Sequence, residues 1–263
     1  MIRLVVSDID GTLVPDGTDK INPEIFEVIK KLHAKGIIYV AASGRQFASI
    51  RRLFEPVAQN IYYITDGGGI LRSYQEILFA DEMQKEDVKG IVEDVKKLPE
   101  CEVLVCGAAC AYGTDKNSPM YKWLQDSYKF DLQEKPDLTK PVTDQIVKVS
   151  VYHPSRAEEI CQPWFTPKWS EKLQLACAGK EWMDCIPKTS NKGNSLQMFQ
   201  KIMGIDKSET MAFGDNINDL EMLACAGESY AVENAREEVK AAAKHVAKSY
   251  QENGVIEVLK ELL

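Results

Sequence analysis

Ile2-Arg3-Leu4-Val5-Val6-Ser7-Asp8-Ile9-Asp10-Gly11-Thr12-Leu13 is a short apolar, β-branched run that breaks abruptly into two carboxylates. Ile2, Leu4, Val5 and Val6 have the composition of a buried strand. Asp8 and Asp10 follow at its end, and in open parallel α/β sheets ligands bind beyond the carboxyl ends of strands. Gly11 lets the backbone turn sharply after them. The rival reading is an Asp-Gly hairpin turn, but Leu13, Val14 and Pro15 do not return as a matching strand. The stretch therefore predicts a core strand that delivers acidic side chains to a site.

Outward from it the pattern repeats. Asn22 as N-cap, Pro23 in the first turn, and Ile25, Phe26, Ile29 and Leu32 at helical spacing predict a helix that stops at Lys35-Gly36. Residues 37–42 read as a second buried strand, which makes a βαβ unit. It ends in Ser43-Gly44-Arg45, followed by the helical pattern Phe47, Ile50, Leu53 and Phe54. Ser43 alone reads as an ordinary N-cap, although a helix start with a hydroxyl and a glycine also offers amides to an anion. Residues 61–64 form a third strand, ending in Thr65-Asp66-Gly67-Gly68-Gly69. Those glycines permit either a close backbone approach to something bound or merely a flexible start to the hairpin at residues 70–72 and 77–80.

The texture changes over residues 83–187: a helix around 88–98, strands at 103–106, 146–152, 173–177 and 182–186, and a Pro-rich aromatic stretch at 163–169. Six of the seven cysteines and all four tryptophans lie there. We expect an α+β domain inserted at 83–187 into an α/β domain of residues 1–82 and 188–263. The α/β pattern resumes with a helix face of Leu196, Phe199, Ile202 and Met203, closed by Gly204. Residues 210–213 then form a strand ending in Gly214-Asp215-Asn216-Ile217-Asn218-Asp219. This is not an EF-hand, because Ile217 and Leu220 fall where that loop needs an oxygen ligand and a glycine. A strand at 229–232, a helix through Val239, Ala242 and Ala243, and an amphipathic helix at 254–263 complete a doubly wound parallel sheet.

Composition narrows the function. Of 263 residues, 44% are hydrophobic and 27% charged, as in ordinary globular proteins. A net charge of −8 disfavours nucleic acid as a partner, while a small anion needs only a local pocket. Arg3 and Asp8 interrupt any leader-like apolar run, and no stretch has the length of a spanning helix, so a cytoplasmic protein without a membrane partner is expected. No protein partner is evident either. The seven cysteines show no Cys-x-x-Cys spacing and read as reduced core thiols.

Asp8, Asp10, Asp215 and Asp219 would bring four negative charges into one cleft, which calls for cations. An all-oxygen ligand set without His or Cys points to Mg²⁺. Lys192 adds a further positive charge, and a phosphate can then bridge metal, lysine and helix amides. There is no Gly-x-x-x-x-Gly-Lys-Ser/Thr loop, no cysteine has an arginine six positions on, and His33, His153 and His245 lie outside the clusters. A carboxylate remains as the nucleophile.

These residues resemble the haloacid dehalogenase superfamily of phosphohydrolases, specifically its Cof-type branch. Asp8-Ile9-Asp10-Gly11-Thr12-Leu13, Ser43-Gly44-Arg45, Asn191-Lys192-Gly193 and Gly214-Asp215-Asn216-Ile217-Asn218-Asp219 match its four motifs in order. Asn234-Ala235-Arg236-Glu237-Glu238-Val239-Lys240 and Asn253-Gly254-Val255 look like its closing segments. The resemblance implies a Rossmann-like core with an inserted α+β cap that sets specificity. It implies Asp8 as a nucleophile forming an aspartyl-phosphate, and Asp10 as general acid and then base. Mg²⁺ would be held by Asp8, the Asp10 carbonyl and Asp215. Ser43, Gly44, Arg45 and Lys192 would contact phosphate or substrate, with Asn218 and Asp219 orienting them and Asn234 in support. The branch usually has Asn-Gly-Ala after its third strand, where this chain has Asp66-Gly67-Gly68. A carboxylate there repels a second phosphate and accepts from hydroxyls, or it simply caps the turn.

The activity so implied is Mg²⁺-dependent hydrolysis of small phosphomonoesters, hexose phosphates foremost. A sugar phosphomutase shares the first step but must shield its intermediate from water. A non-catalytic sensor of a phosphorylated metabolite needs no acid/base beside a nucleophile, so the pair Asp8 and Asp10 disfavours it.

Overall fold

The computed structural model describes residues 1–15, 17–126 and 130–263. The chain divides into two compact units: Met1–Phe79 with Asn191–Leu263 (unit 1), and Ala80–Ser190 (unit 2). In chain order the strands are β1 (Leu4–Asp8), β2 (Ile38–Ala42), β3 (Tyr62–Thr65), β4 (Ile70–Arg72), β5 (Ile77–Ala80), β6 (Glu102–Gly107), β7 (Ala111–Gly113), β8 (Leu132–Glu134), β9 (Ile146–Tyr152), β10 (Leu173–Ala178), β11 (Trp182–Pro187), β12 (Thr210–Gly214), β13 (Glu228–Val232) and β14 (His245–Ala247). The α-helices are α1 (Glu24–Ala34), α2 (Phe47–Leu53), α3 (Lys85–Val95), α4 (Pro119–Asp126), α5 (Ala157–Trp169), α6 (Lys192–Met203), α7 (Leu220–Ala224), α8 (Glu237–Ala242) and α9 (Gly254–Lys260).

The first sheet runs β14-β13-β12-β1-β2-β3-β4-β5, parallel from β14 to β3, with β4 antiparallel to β3. Its central strands are continuous apolar runs because both faces are covered; all five residues of β1 are buried. From β1 the chain steps sideways through β2 and β3, and from β12 it steps the other way through β13 and β14. The reversal falls between β1 and β12, where Ser7 lies opposite Phe213. The carboxyl ends of these two strands therefore flank the crevice in which this topology binds ligands.

α1 forms where the apolar residues recur at helical spacing and buries Ile25, Val28, Ile29 and Leu32. Each contributes about 1.5–3 kcal/mol through burial. Pro23 occupies the boundary position expected of Asn22, and the Asn22 carboxamide accepts from the Glu24 amide at 3.0 Å. α6 ends as its sequence predicts, at Gly204 in the left-handed region.

In unit 2 the sheet order is β10-β11-β9-β6-β7-β8, antiparallel except for the β7/β8 pair. Alternation along β6 sends Val103 and Val105 to the core that includes residues of α3 and α5, and Leu104 and Cys106 to the core that includes residues of α4. The Pro-rich stretch at 163–169 is helical: α5 carries Pro163 and Pro167 inside it. Proline in a helix interior costs about 3 kcal/mol, and full burial of Cys161 and Phe165 on the sheet offsets that cost. β7, β8 and β14, three residues each, carry too little periodic signal to be read from the sequence, and the eight-residue α4 is a further element the sequence reading lacks.

All seven cysteines are free thiols, five of them buried. Among the described residues no helix is long and apolar enough to cross a membrane.

Candidate active site

β1 carries Asp8 to the end of the sheet, and the first turn of α6 carries Lys192 to meet it. Lys192 is 1% exposed, with Nζ 2.5 Å from Asp8 Oδ1 and 2.6 Å from Asp219 Oδ1. The other oxygen of Asp219 accepts the amides of Asp215 and Asn216 at 3.0 and 3.1 Å, which closes the turn after β12. Thr12 donates to Asp215 Oδ1 at 2.8 Å, and the Arg236 amide donates to the Asp215 carbonyl at 3.0 Å. Asn234 donates to the Gly11 carbonyl at 2.7 Å and so ties the closing segment to the loop after β1.

Two glycines make these approaches possible. Gly11 has φ +83°, and a Cβ there would stand 2.3 Å from Asp215 Oδ2. Gly68 has φ +110°, and a Cβ there would stand 2.2 Å from the Asn191 carbonyl carbon and 2.7 Å from the Lys192 nitrogen. Gly68 thus gives the start of α6 a close approach to the loop after β3. Ser195 completes the clamp by donating to the Gly68 carbonyl at 2.6 Å. The loop after β3 sets the position of Lys192.

Asp8, Asp215 and Asp219 each offer an oxygen within 4.8 Å of the others. Burial, then the charge of Asp219, pushes the Asp8 carboxyl well above its ordinary range despite Lys192. Burial also raises Asp215, against the hydrogen bond from Thr12. Burial alone would lower Lys192, but the charges of Asp219 and Asp8 outweigh it and hold the lysine protonated. One ammonium faces two buried carboxylates and a half-buried third, so their full ionisation calls for a further cation. An oxygen-only donor set in that state fits a hard divalent cation.

Asp10 stands apart from this cluster. Its side chain is 27% exposed, and Arg45 grips it with Nε 2.8 Å from Oδ2 and Nη2 2.5 Å from Oδ1. The Gly17 amide donates to Asp10 Oδ1 at 3.1 Å, and Arg45 Nη2 also donates to the Thr18 carbonyl at 2.7 Å. Ser43 is buried, accepts the Arg45 amide at 3.1 Å and lies 3.4 Å from Asp10 Oδ2. Gly44 follows it on an exposed bend.

The remaining candidates are dispersed. Asn218 is exposed on the turn after β12, and among the described residues no hydrogen bond joins its side chain to the carboxylates. Asp66 is buried in the left-handed region and accepts from Thr65 Oγ1 at 2.9 Å, while the Gly67 amide donates to the Ser43 carbonyl at 3.1 Å. Sequence reasoning gave no role to Thr12 or Ser195, and for the glycine run that includes Gly68 it left open a close approach to something bound or a flexible hairpin start. Thr12 had a signal, a hydroxyl just past the acidic pair, whereas the partners of Gly68 and Ser195 are distant in the chain.

A profile of haloacid dehalogenase-like hydrolases matches residues 5–259. The chain is 31% identical over 262 residues to the 5-amino-6-(5-phospho-D-ribitylamino)uracil phosphatase YbjI of Escherichia coli, covering 100% of this chain and 96% of that protein. A crystal structure from Eubacterium rectale is 45% identical with a TM-score of 0.94, covering 100% of this chain and 99% of that one. The sugar phosphatase BT4131, of HAD subclass IIB, shares the fold at 24% identity and a TM-score of 0.79, covering 99% and 98% of the two chains. With a profile spanning nearly all its residues and a relative named a phosphatase along its whole length, this chain belongs to the haloacid dehalogenase-like hydrolases and is a phosphatase of that family.

Proposed function

We propose that the protein hydrolyses small phosphomonoesters through an aspartyl-phosphate on Asp8. The observation that carries this reading is the contrast between two carboxylates two residues apart. Asp8 is buried against Lys192 and Asp219, while Asp10 is partly exposed and held by Arg45. Burial raises Asp8, so a cation beside it is what would keep it ionised for attack, and Asp10, outside the cluster, is left for proton transfer. Asp8 attacks phosphorus, and the P–O bond to the leaving group breaks. Asp10 gives its proton to the departing alkoxide, then takes one from the water that cleaves the aspartyl-phosphate and releases inorganic phosphate. Lys192 and Ser43 receive the phosphoryl oxygens. A Mg²⁺ ion held by Asp8, Asp215 and the Asp10 carbonyl would supply charge neutralisation between nucleophile and phosphate.

The substrate we infer is a monophosphorylated sugar or sugar alcohol. The Escherichia coli relative is named for a phosphoribityl compound and BT4131 for sugar phosphates, and Asp66 would disfavour a second phosphate. Unit 2 would act as the cap that sets specificity, with no nucleic acid, membrane or protein partner.

Phosphate release from a panel of sugar, nucleotide and aryl phosphates, with and without Mg²⁺, tests this. Asp10→Asn should lose about 10²–10⁴-fold on sugar phosphates, and less on aryl phosphates, which need Asp10 only as base in the second step. Phosphoryl transfer between sugar positions without phosphate release would indicate a mutase instead.

A further inference from the structure

Arg45 belongs to the motif expected to touch substrate phosphate, yet its guanidinium is already committed. The Nε–Nη2 edge, the side of the fork that binds an oxyanion at two points, lies against both oxygens of Asp10. The second Nη2 hydrogen goes to the Thr18 carbonyl. Among the described residues, only the Nη1 hydrogens are left without a hydrogen bond. The Arg45 side chain is 14% exposed, so it is packed in place rather than sweeping through solvent. Its own amide donates to Ser43 Oγ, and its carbonyl accepts the Asp66 amide at 3.0 Å, so the backbone behind the fork is fixed as well. Asp10, by contrast, sits on the loop after β1, beyond the strand that fixes Asp8. A carboxylate there has free rotation about χ1 and χ2 unless something fixes its plane, and a two-point guanidinium contact does that.

We propose that Arg45 is a positioning residue: it fixes the plane of the Asp10 carboxylate and ties it to the Thr18 carbonyl, rather than binding the transferred phosphate. This rests on the acid/base role of Asp10 given above. Proton donation in the first step matters most for leaving groups that need the proton, while the base step is common to both esters, so the loss on removing Arg45 should be larger on the sugar phosphate, as it is for Asp10.

The test uses the full chain with Mg²⁺ and compares Arg45→Gln, Arg45→Lys, Asp10→Asn and the Arg45→Gln/Asp10→Asn double variant on a sugar phosphate and on p-nitrophenyl phosphate. Inhibition by inorganic phosphate is measured in parallel. Arg45→Gln should lower kcat on the sugar phosphate by about 10–10²-fold, leave kcat on the aryl ester within a few fold, and leave KM and phosphate inhibition nearly unchanged. In the Asp10→Asn background it should cost nothing more. Arg45→Lys keeps the charge but loses the fork, so it should recover only part of kcat. A rise in KM and in the phosphate inhibition constant, with equal kcat losses on both esters, would overturn the proposal and make Arg45 a phosphate ligand. Full recovery with Arg45→Lys would overturn it too. If Asp10→Asn discriminates between the esters and Arg45→Gln does not, the role of Arg45 alone fails. If Asp10→Asn does not discriminate, the acid/base reading beneath it fails.

Discussion

Gly67 and Gly68 offer a paired perturbation in which the structure makes opposite statements about neighbouring residues. Both have positive φ, +72° and +110°, so an alanine at either place is strained by about 1–2 kcal/mol. Only Gly68 is crowded: a Cβ at Gly67 meets nothing within 4 Å, whereas one at Gly68 would lie 2.2 Å from the Asn191 carbonyl carbon. Restoring ordinary contact there requires the start of α6 to retreat by about 1 Å, an overpacking cost of about 1–3 kcal/mol on top of the backbone strain. The retreating segment carries Lys192, and a 1 Å misplacement of a catalytic group costs about 10²-fold in rate. Gly67→Ala should therefore lose about 1–2 kcal/mol in urea unfolding and keep its kcat. Gly68→Ala should lose about 2–5 kcal/mol and most of its turnover. Equal effects of the two substitutions on stability and kcat would refute the assignment of Gly68 to positioning Lys192.

Other consequences can be checked alongside. Asp8→Asn should lower turnover by about 10³-fold or more; because burial raises the carboxyl of Asp8, removing its charge should also raise the unfolding midpoint of the metal-free protein at neutral pH. Mg²⁺ at a hundredfold excess over its Kd should add about 2.7 kcal/mol to wild-type stability, and less to Asp215→Ala, as read by thermal unfolding. In unit 2, Asp94 joins α3 to α5 by accepting from Lys97 and Lys168 at 2.9 Å and from Trp169 at 3.1 Å. Burial pushes its carboxyl up, but those three hydrogen bonds outweigh it and hold Asp94 below its ordinary range. Its contribution is therefore present above the ordinary carboxylate range and is lost as pH falls through the folded value. Asp94→Asn should cost about 1.5–3 kcal/mol at pH 7, with the gap to wild type narrowing below about pH 4. A gap that widens on acidification would refute the sign.

The doubly wound sheet was legible because its central strands β1, β2 and β12 are largely apolar runs that give way to polar residues, with acids at the end of β1 and just after β12. The same rule led to Asp8, Asp215 and Asp219, which the fold brings together around Lys192. Periodicity carries no information about a guanidinium thirty-five residues from its carboxylate, so the grip of Arg45 on Asp10 was hidden. It depends on the loop through Thr18 folding back, which no local signal encodes. α5 was hidden for the opposite reason: its local signal, two prolines, argues against a helix, and only burial on the sheet of unit 2 overrides that signal.

Asp81 accepts from Thr189 Oγ1 at 2.7 Å and from Ser190 Oγ at 2.8 Å, so the chain leaves unit 2 where it came in. The loop between β1 and β12 spans about 200 residues, and a folded unit 2 removes about 110 of them from the distance the chain must close. Each halving of a closing loop saves about 0.6 kcal/mol, so cutting this one to about 90 residues saves about 0.7 kcal/mol. If unit 2 closes before the two halves of unit 1 meet, the central strand pair forms late. A lesion far from Asp8, such as Asp94→Asn, would then announce itself as slow recovery of activity after dilution from urea, while the recovered protein turns over at the normal rate.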